Sequence, residues 1–250
     1  MISLLIAVSF SIGFFVESII GFGGGLIAYS ILSFFVDLKQ MVLAGLYIGT
    51  CASAYIAYSG LKYFDRKIFK SLIPAAAVGT IFGVSAFGLF SSEILSPILG
   101  FLLIFLALRT VIFDRLQTPR FFRKKTSPND LPRPSKYLRN LFIFIGGLSQ
   151  GAFGIGGPFV VNAIKNEFPN KSALRATMAA FFVIFNFLRV FQMSIQGNIS
   201  SDFLREIFWV IIPVFAAIKL GHLVHLKISE DLFKKGIAVM TIGAAIKFIL

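Results

Sequence analysis

The sequence has few charged residues and few of the side chains that usually carry catalysis. Only 14% of its 250 residues are charged, whereas soluble globular proteins have about 25%. A single cysteine excludes a disulfide framework or a thiolate metal cluster built from this chain alone. The two histidines and eleven acidic residues form no metal-ligand or catalytic pattern. The sequence therefore predicts no cofactor, no metal and no catalytic residue.

Apolar residues dominate instead. They make up 57% of the chain, and its 31 phenylalanines outnumber its 24 lysines and arginines, so a folded surface could not be covered with polar groups. The net charge of +13 comes from basic residues between long apolar runs, which is typical of loops at a membrane surface and not of a nucleic-acid interface. The surrounding solvent is therefore predicted to be lipid.

The chain contains eight apolar segments, and a membrane helix needs about 20 such residues to cross about 30 Å. These segments lie at residues 1–36, 40–61, 71–92, 94–113, 140–164, 174–196, 206–224 and 231–250. They predict an all-α, polytopic transmembrane bundle of seven or eight segments.

The two halves of the chain resemble each other. Gly21-Phe22-Gly23-Gly24 aligns with Gly154-Ile155-Gly156-Gly157 at an offset of 133 residues, and further matches follow in the same order. We therefore expect two homologous four-segment repeats with glycine-broken helices, at residues 1–113 and 138–250. Residues 114–137 form the basic, Pro-containing linker between them.

The distribution of basic residues orients the chain. If all eight segments cross, the linker side carries 14 lysines and arginines against seven, which predicts a cytoplasmic linker. If the segment at 140–164 dips in and returns, the ratio becomes 19 to two. Four segments per repeat favour parallel halves, whereas the sharper charge bias favours a re-entrant segment, so both topologies stay open.

Glycine clusters interrupt the first segment of each half. Backbone that leaves a helix frees polar groups, which are tolerated within a bilayer only where protein buries them or a polar cavity solvates them. The N-terminus of the following half-helix would present unpaired N–H groups and partial positive charge to an anion. Close helix packing is the alternative. The substrate-binding glycines predicted are Gly21, Gly23, Gly24, Gly25, Gly154, Gly156 and Gly157.

A few polar side chains lie inside the apolar segments. Glu17 is one turn before the first glycine cluster and is a candidate for proton coupling, with Gln150 at the matching position; a structural hydrogen bond is the alternative. Arg189 is predicted to reach a substrate anion or Glu17, or to extend to the interface. Asn162 and Asn186 are candidates for lining the cavity, or for bonding between helices.

GFGGGLIAY at residues 21–29, GAFGIGGPFVV at 151–161 and the basic central linker resemble the sulfite exporter TauE/SafE family. Ser30 stands where many members carry a proline. The resemblance covers most of the chain and implies a transporter, by name an exporter, of sulfite or an organosulfonate in a prokaryotic inner membrane.

The expected function is therefore alternating-access transport of a small anion, with proton coupling through Glu17 as a hypothesis. Its partners would be the anionic substrate, the lipid bilayer and protons, with a homo-oligomer left open and no nucleic acid. The alternatives are a membrane-embedded enzyme, an uptake permease for another small organic anion, and a structural or assembly role.

Overall fold

The computed structural model describes residues 2–20, 23–116, 135–168, 170–197, 201–224 and 245–249. Within these ranges the chain is helical and contains no strand, which confirms the all-α prediction. The helices are α1 (Ile2–Ile20), α2 (Gly24–Leu32), α3 (Leu38–Ser59), α4 (Arg66–Leu89), α5 (Ser92–Leu116), α6 (Lys136–Phe153), α7 (Gly157–Ile164), α8 (Lys171–Ile195), α9 (Ser201–Ile207) and α10 (Ile211–Val224).

Several of these helices begin at a polar residue that the sequence places just before an apolar run. In each, the side chain accepts a hydrogen bond from a backbone N–H of the first turn, which would otherwise have no partner. These residues are Asp37 before α3, Asp65 before α4, Ser135 before α6 and Asn170 before α8. The caps explain why each helix begins where it does.

Four helices of the described chain are long and apolar enough to cross a membrane. They cover Ile2–Ile19, Leu38–Ser59, Arg66–Leu89 and Ser172–Ile195. Their outer faces carry large apolar side chains, such as Phe82 on α4 and Phe191 on α8, which are 61% and 66% exposed. In water such faces would be costly, so they fit a lipid environment.

The first glycine cluster reverses the direction of the chain. Gly24 lies against Glu17, Gly13 lies against Gly24 and Ala28, and the ring of Tyr29 meets that of Phe10 edge-on at 6.2 Å. Residues further along α2 therefore contact residues earlier in α1, so the two helices are antiparallel. The two helices form a hairpin, and α2 returns toward the side from which α1 entered.

The second glycine cluster does the same. Gly156 lies against Gln150 and Gly146, and Gly146 in turn lies against Phe159 and Val160. Helix α7 therefore runs back along α6. This is the geometry of the re-entrant alternative, one of the two left open for the segment at 140–164, and α1 and α2 have the same geometry.

The hairpin of each half packs mainly against a helix of the other half. Helix α4 runs parallel to α6, so closely that a methyl group on Gly83 would collide with the carbonyl of Leu148. Helix α10 also packs closely on α1, with Gly221 against the carbonyl of Phe15. Phe15 and Leu148 are 133 residues apart, which is the offset of the glycine clusters. Helices α3 and α8 complete the contact between the halves.

The second half departs from the expected segments in one place. The segment predicted at 206–224 is divided into α9 and α10 by a short 3-10 turn at Phe208–Val210. Only residues 245–249 of the last predicted segment are described, and they are helical. Most of the linker, residues 117–134, lies outside the described residues.

Candidate binding site at the two glycine turns

A small cavity lies where the two hairpin turns meet the middle of α3 and α8. It leaves about 40 Å³ open to the centre of a water molecule. One water needs about 10–15 Å³ on this measure, so the cavity has room for a few waters or one small polyatomic ion. Eight of the predicted residues line it: Glu17, Gly23, Gly25, Gln150, Gly154, Gly157, Asn186 and Arg189.

The turn of the first hairpin depends on a glycine in left-handed conformation. Gly23 has a φ of 95°, a backbone geometry that residues with a Cβ rarely adopt. The N–H of Gly24, the first residue of α2, donates to Oε2 of Glu17 at 2.7 Å. A carboxylate of the protein itself thus bonds one of the unpaired N–H groups at the start of α2. The next residue, Gly25, lines the cavity.

The turn of the second hairpin is built from similar parts. Gly154 ends α6 with a φ of 77°. The N–H of Gly156 donates to Oε1 of Gln150 at 3.0 Å, as Gly24 does to Glu17 in the first hairpin. Pro158 stands in the first turn of α7, where its missing N–H costs nothing. An amide group therefore takes the place that a carboxylate has in the first hairpin.

Arg189 is the one cationic side chain in the part of the lining that the structure describes. It is 1% exposed, so the expectation that it extends to the membrane interface is wrong. Its Nε donates to the carbonyl of Gly151 at 3.0 Å, and its Nη1 lies 3.4 Å from Oδ1 of Asn186. Within the described part of the chain, no group accepts a hydrogen bond from its Nη2. A buried arginine held at two nitrogens is thus left with a donor to spare.

Not every predicted residue reaches the cavity. Gly24 and Gly156 bond to Glu17 and Gln150 but do not line it, and Asn162 on α7 does not line it either. Gly21 lies outside the described residues.

Sequence reasoning missed the wall that α3 contributes. Gly45, Gly49 and Ser53 follow one another at four-residue spacing, which places small side chains on one face of the helix, and all three line the cavity. Tyr29 of α2 packs onto Gly45 and lines the cavity as well. The spacing on α3 was a readable signal, whereas the position of Tyr29 depends on the reversal of α2. Apolar side chains close the remaining walls: Phe10, Phe14, Leu26, Ile155 and Phe182.

The chemistry of the lining is that of binding. Arg189, Asn186 and the starts of two half-helices offer N–H donors, and Glu17 supplies the only carboxylate of the lining that the structure describes. Arg175 on α8 also interacts electrostatically with Glu17. No cluster of three histidine, cysteine or acidic side chains that could hold a metal occurs among the described residues.

The comparisons with known proteins identify the family. The family model of the sulfite exporter TauE/SafE family matches residues 5–248, which is nearly the whole chain. No curated protein and no solved structure matches the chain. This is a family of transporters and not of enzymes, so the alternative of a membrane-embedded enzyme is set aside. The chain belongs to the sulfite exporter TauE/SafE family of membrane transporters.

Proposed function

We propose that the protein exports a small sulfur-containing anion, and that the anion binds in the cavity between the two glycine turns. The observation that carries the proposal is Arg189. A guanidinium that is 1% exposed, and whose Nη2 has no partner among the residues that the structure describes, is costly in a membrane protein unless an anion pairs with it. The half-helix starts beside it also favour negative charge. The direction of transport is the one that the family description gives.

The size of the cavity favours the smaller candidate substrates. Room for a few waters suits an ion of a few heavy atoms such as sulfite, and an organosulfonate would need the cavity to widen. We therefore expect sulfite to bind more tightly than sulfoacetate.

The hairpins support a specific topology. If α1–α2 and α6–α7 each return to the side they entered, each half has one re-entrant hairpin and three crossing segments, and the halves are inverted. This arrangement keeps the 19 to two bias of basic residues and makes the linker side cytoplasmic, at a prokaryotic inner membrane. It has six crossings instead of the seven or eight that the sequence predicts. It also agrees with both the four-segment repeats and the charge bias.

Inverted halves around one site provide a route to alternating access. The cavity touches residues near the middle of α3 and α8, such as Gly49 and Phe182, as a site near the bilayer midplane would. Relative movement of the two hairpins would open it to either side.

Proton coupling is proposed through Glu17, which lines the same cavity as Arg189. Uptake and release of a proton at this carboxyl would change the charge next to the anion. Glu17→Gln is expected to remove the dependence of flux on a pH gradient, measured in proteoliposomes with and without the gradient. If the gradient drives the variant as well as the wild type, the coupling role of Glu17 is wrong.

The main test is isotope flux in proteoliposomes with sulfite, thiosulfate, sulfoacetate and sulfate offered in turn. Arg189→Gln should abolish saturable flux, because it removes the cation from the cavity. Lys219→Gln is the matched control, since Lys219 is exposed on α10 and should not affect flux. Flux of one anion that Arg189→Gln leaves unchanged would refute the site, and no flux of any anion would refute the assignment of substrate. Vesicles of known orientation separate export from uptake.

A further inference from the structure

The orientation of two buried amides at the cavity follows from a single backbone donor. The N–H of Gly156 can only donate, so the Gln150 atom 3.0 Å away is its carbonyl oxygen. The other end of Gln150 is then its NH₂ group, which donates to Oδ1 of Asn186 at 2.8 Å. Nδ2 of Asn186 must therefore point elsewhere. A Cβ built on Gly49 would lie 3.7 Å from it, at the wall of the cavity.

The same chain of bonds holds Arg189. Oδ1 of Asn186 accepts from Gln150 and lies 3.4 Å from Nη1 of Arg189, while the carbonyl of Gly151 accepts from Nε. Gln150, Asn186 and Arg189 are 1%, 4% and 1% exposed, so water does not replace these bonds. The arginine is fixed, and its Nη2 is the donor left over.

We propose that Gln150 and Asn186 are positioning residues that make the cavity selective for an oxyanion, an inference that rests on the proposed function. Gln150 turns the donor end of Asn186 toward the cavity and its acceptor end toward Arg189. Because Gln150 is neutral, it adds no carboxylate of its own to the bonds that hold Arg189. In this role Gln150 acts through Arg189 and has no part in proton coupling.

The first half of the chain has different side chains at the positions that match Gln150, Asn186 and Arg189. Glu17 occupies the position matching Gln150 and also accepts a hydrogen bond from the start of the following half-helix. An ionised carboxylate, however, has no N–H group that could donate to a further residue. At the same offset of 133, Asn186 matches Ser53 and Arg189 matches Ile56. Only the second half therefore builds a set of donors with a net positive charge.

The test is equilibrium binding of radiolabelled sulfite to the purified full-length transporter in detergent. Gln150→Glu and Asn186→Asp are nearly isosteric. Asn186→Asp places a carboxylate beside Arg189, and Gln150→Glu places one against Oδ1 of Asn186, where it removes the donor that orients that amide. Each should weaken sulfite binding by about tenfold or more, the fold-change that corresponds to one hydrogen bond to a charged group. Size-exclusion profiles and thermal midpoints check folding, and two variants on different helices keep the test valid if one misfolds.

A charge-swapped double variant separates positioning from net charge. Glu17→Gln combined with Gln150→Glu keeps the number of carboxyls in the cavity but moves one to the position that faces Asn186. The proposal expects binding to stay weak. Recovery of wild-type affinity in this double variant, or unchanged affinity in both single variants, would overturn it.

The outcomes also separate this proposal from the proposed function. If wild-type protein binds none of sulfite, thiosulfate, sulfoacetate and sulfate, the proposed function fails and the inference fails with it. If wild-type protein binds sulfite, Arg189→Gln does not, and both single variants bind as the wild type does, only the positioning role is refuted.

Discussion

Alanine substitutions at two glycines one turn apart on α3 should change the stability of the protein in opposite directions. Gly45 faces Tyr29, and a Cβ there would collide with the hydroxyl and ring of that tyrosine. Tyr29 is 1% exposed and its ring is held edge-on by Phe10, so it could move away from that Cβ only by losing this contact or by entering the cavity. Gly49 faces the cavity, where a Cβ would lie at ordinary contact distance, 3.7 Å from Nδ2 of Asn186.

The two substitutions therefore differ in the expected sign of their effect on stability. Replacing glycine by alanine in a helix interior stabilises by about 0.5–1 kcal/mol. Gly49→Ala should gain about this amount. In Gly45→Ala this gain should be outweighed, because overpacking a close-packed interior costs about 1–3 kcal/mol, so the variant should be less stable than the wild type. We expect the free energies of unfolding of the two variants to differ by about 2 kcal/mol.

Transport should respond differently from stability. The methyl group in Gly49→Ala takes up part of a cavity of about 40 Å³ and stands next to the donor end of Asn186. We expect a more stable protein with weaker sulfite binding. Thermal unfolding in detergent and sulfite flux in proteoliposomes measure the two effects. A Gly45→Ala protein at least as stable as Gly49→Ala would refute the packing of Tyr29 against α3, and undiminished flux in Gly49→Ala would place the substrate elsewhere.

Three further predictions follow from the contacts described. Gly24→Ala should disrupt the first turn, since its Cβ would lie 2.7 Å from Oε2 of Glu17. Gly25→Ala should fold and lose flux. Equal expression and equal thermal midpoints of the two variants would contradict this. Arg139 and Glu167 form a bidentate pair between the start of α6 and the residues after α7. Removing either partner should lower the free energy of unfolding by about 1 kcal/mol. A double-mutant cycle should show that the two losses are non-additive. Thr80→Val should cost about 0.5–1.5 kcal/mol in thermal unfolding by removing the hydrogen bond from α4 to α6, and no change would mean that this bond contributes nothing.

The packing of each hairpin against the other half affects how the protein can move. Glycine contacts between α4 and α6 bring backbone against backbone, as Gly79 and Gly147 show. Interfaces of this kind resist sliding because no flexible side chain lies between the helices. We therefore expect α4 to move with the second hairpin and α10 with the first, and spin labels on α4 and α6 should keep a constant distance when sulfite is added.

The sequence by itself determined that the protein lies in lipid, that it is helical, and where the two glycine breaks fall. These properties follow from local composition: long apolar runs need lipid, and the two matching glycine clusters lie where α2 and α7 begin. The duplicated glycines and Glu17 could be identified as site residues because a break or a charge within an apolar segment is costly enough to need a reason.

Only the tertiary structure decided which way the chain runs after each break and which side chains meet there. A glycine at positive φ allows either a kink or a reversal, and the close packing of Gly13 on Gly24 and of Gly146 on Gly156 selects the reversal. That choice brings Tyr29 onto α3 and Gln150 next to Asn186. Whether Arg189 reached the interface or the cavity depended on the same packing, because a long side chain takes the direction in which its nitrogens find acceptors.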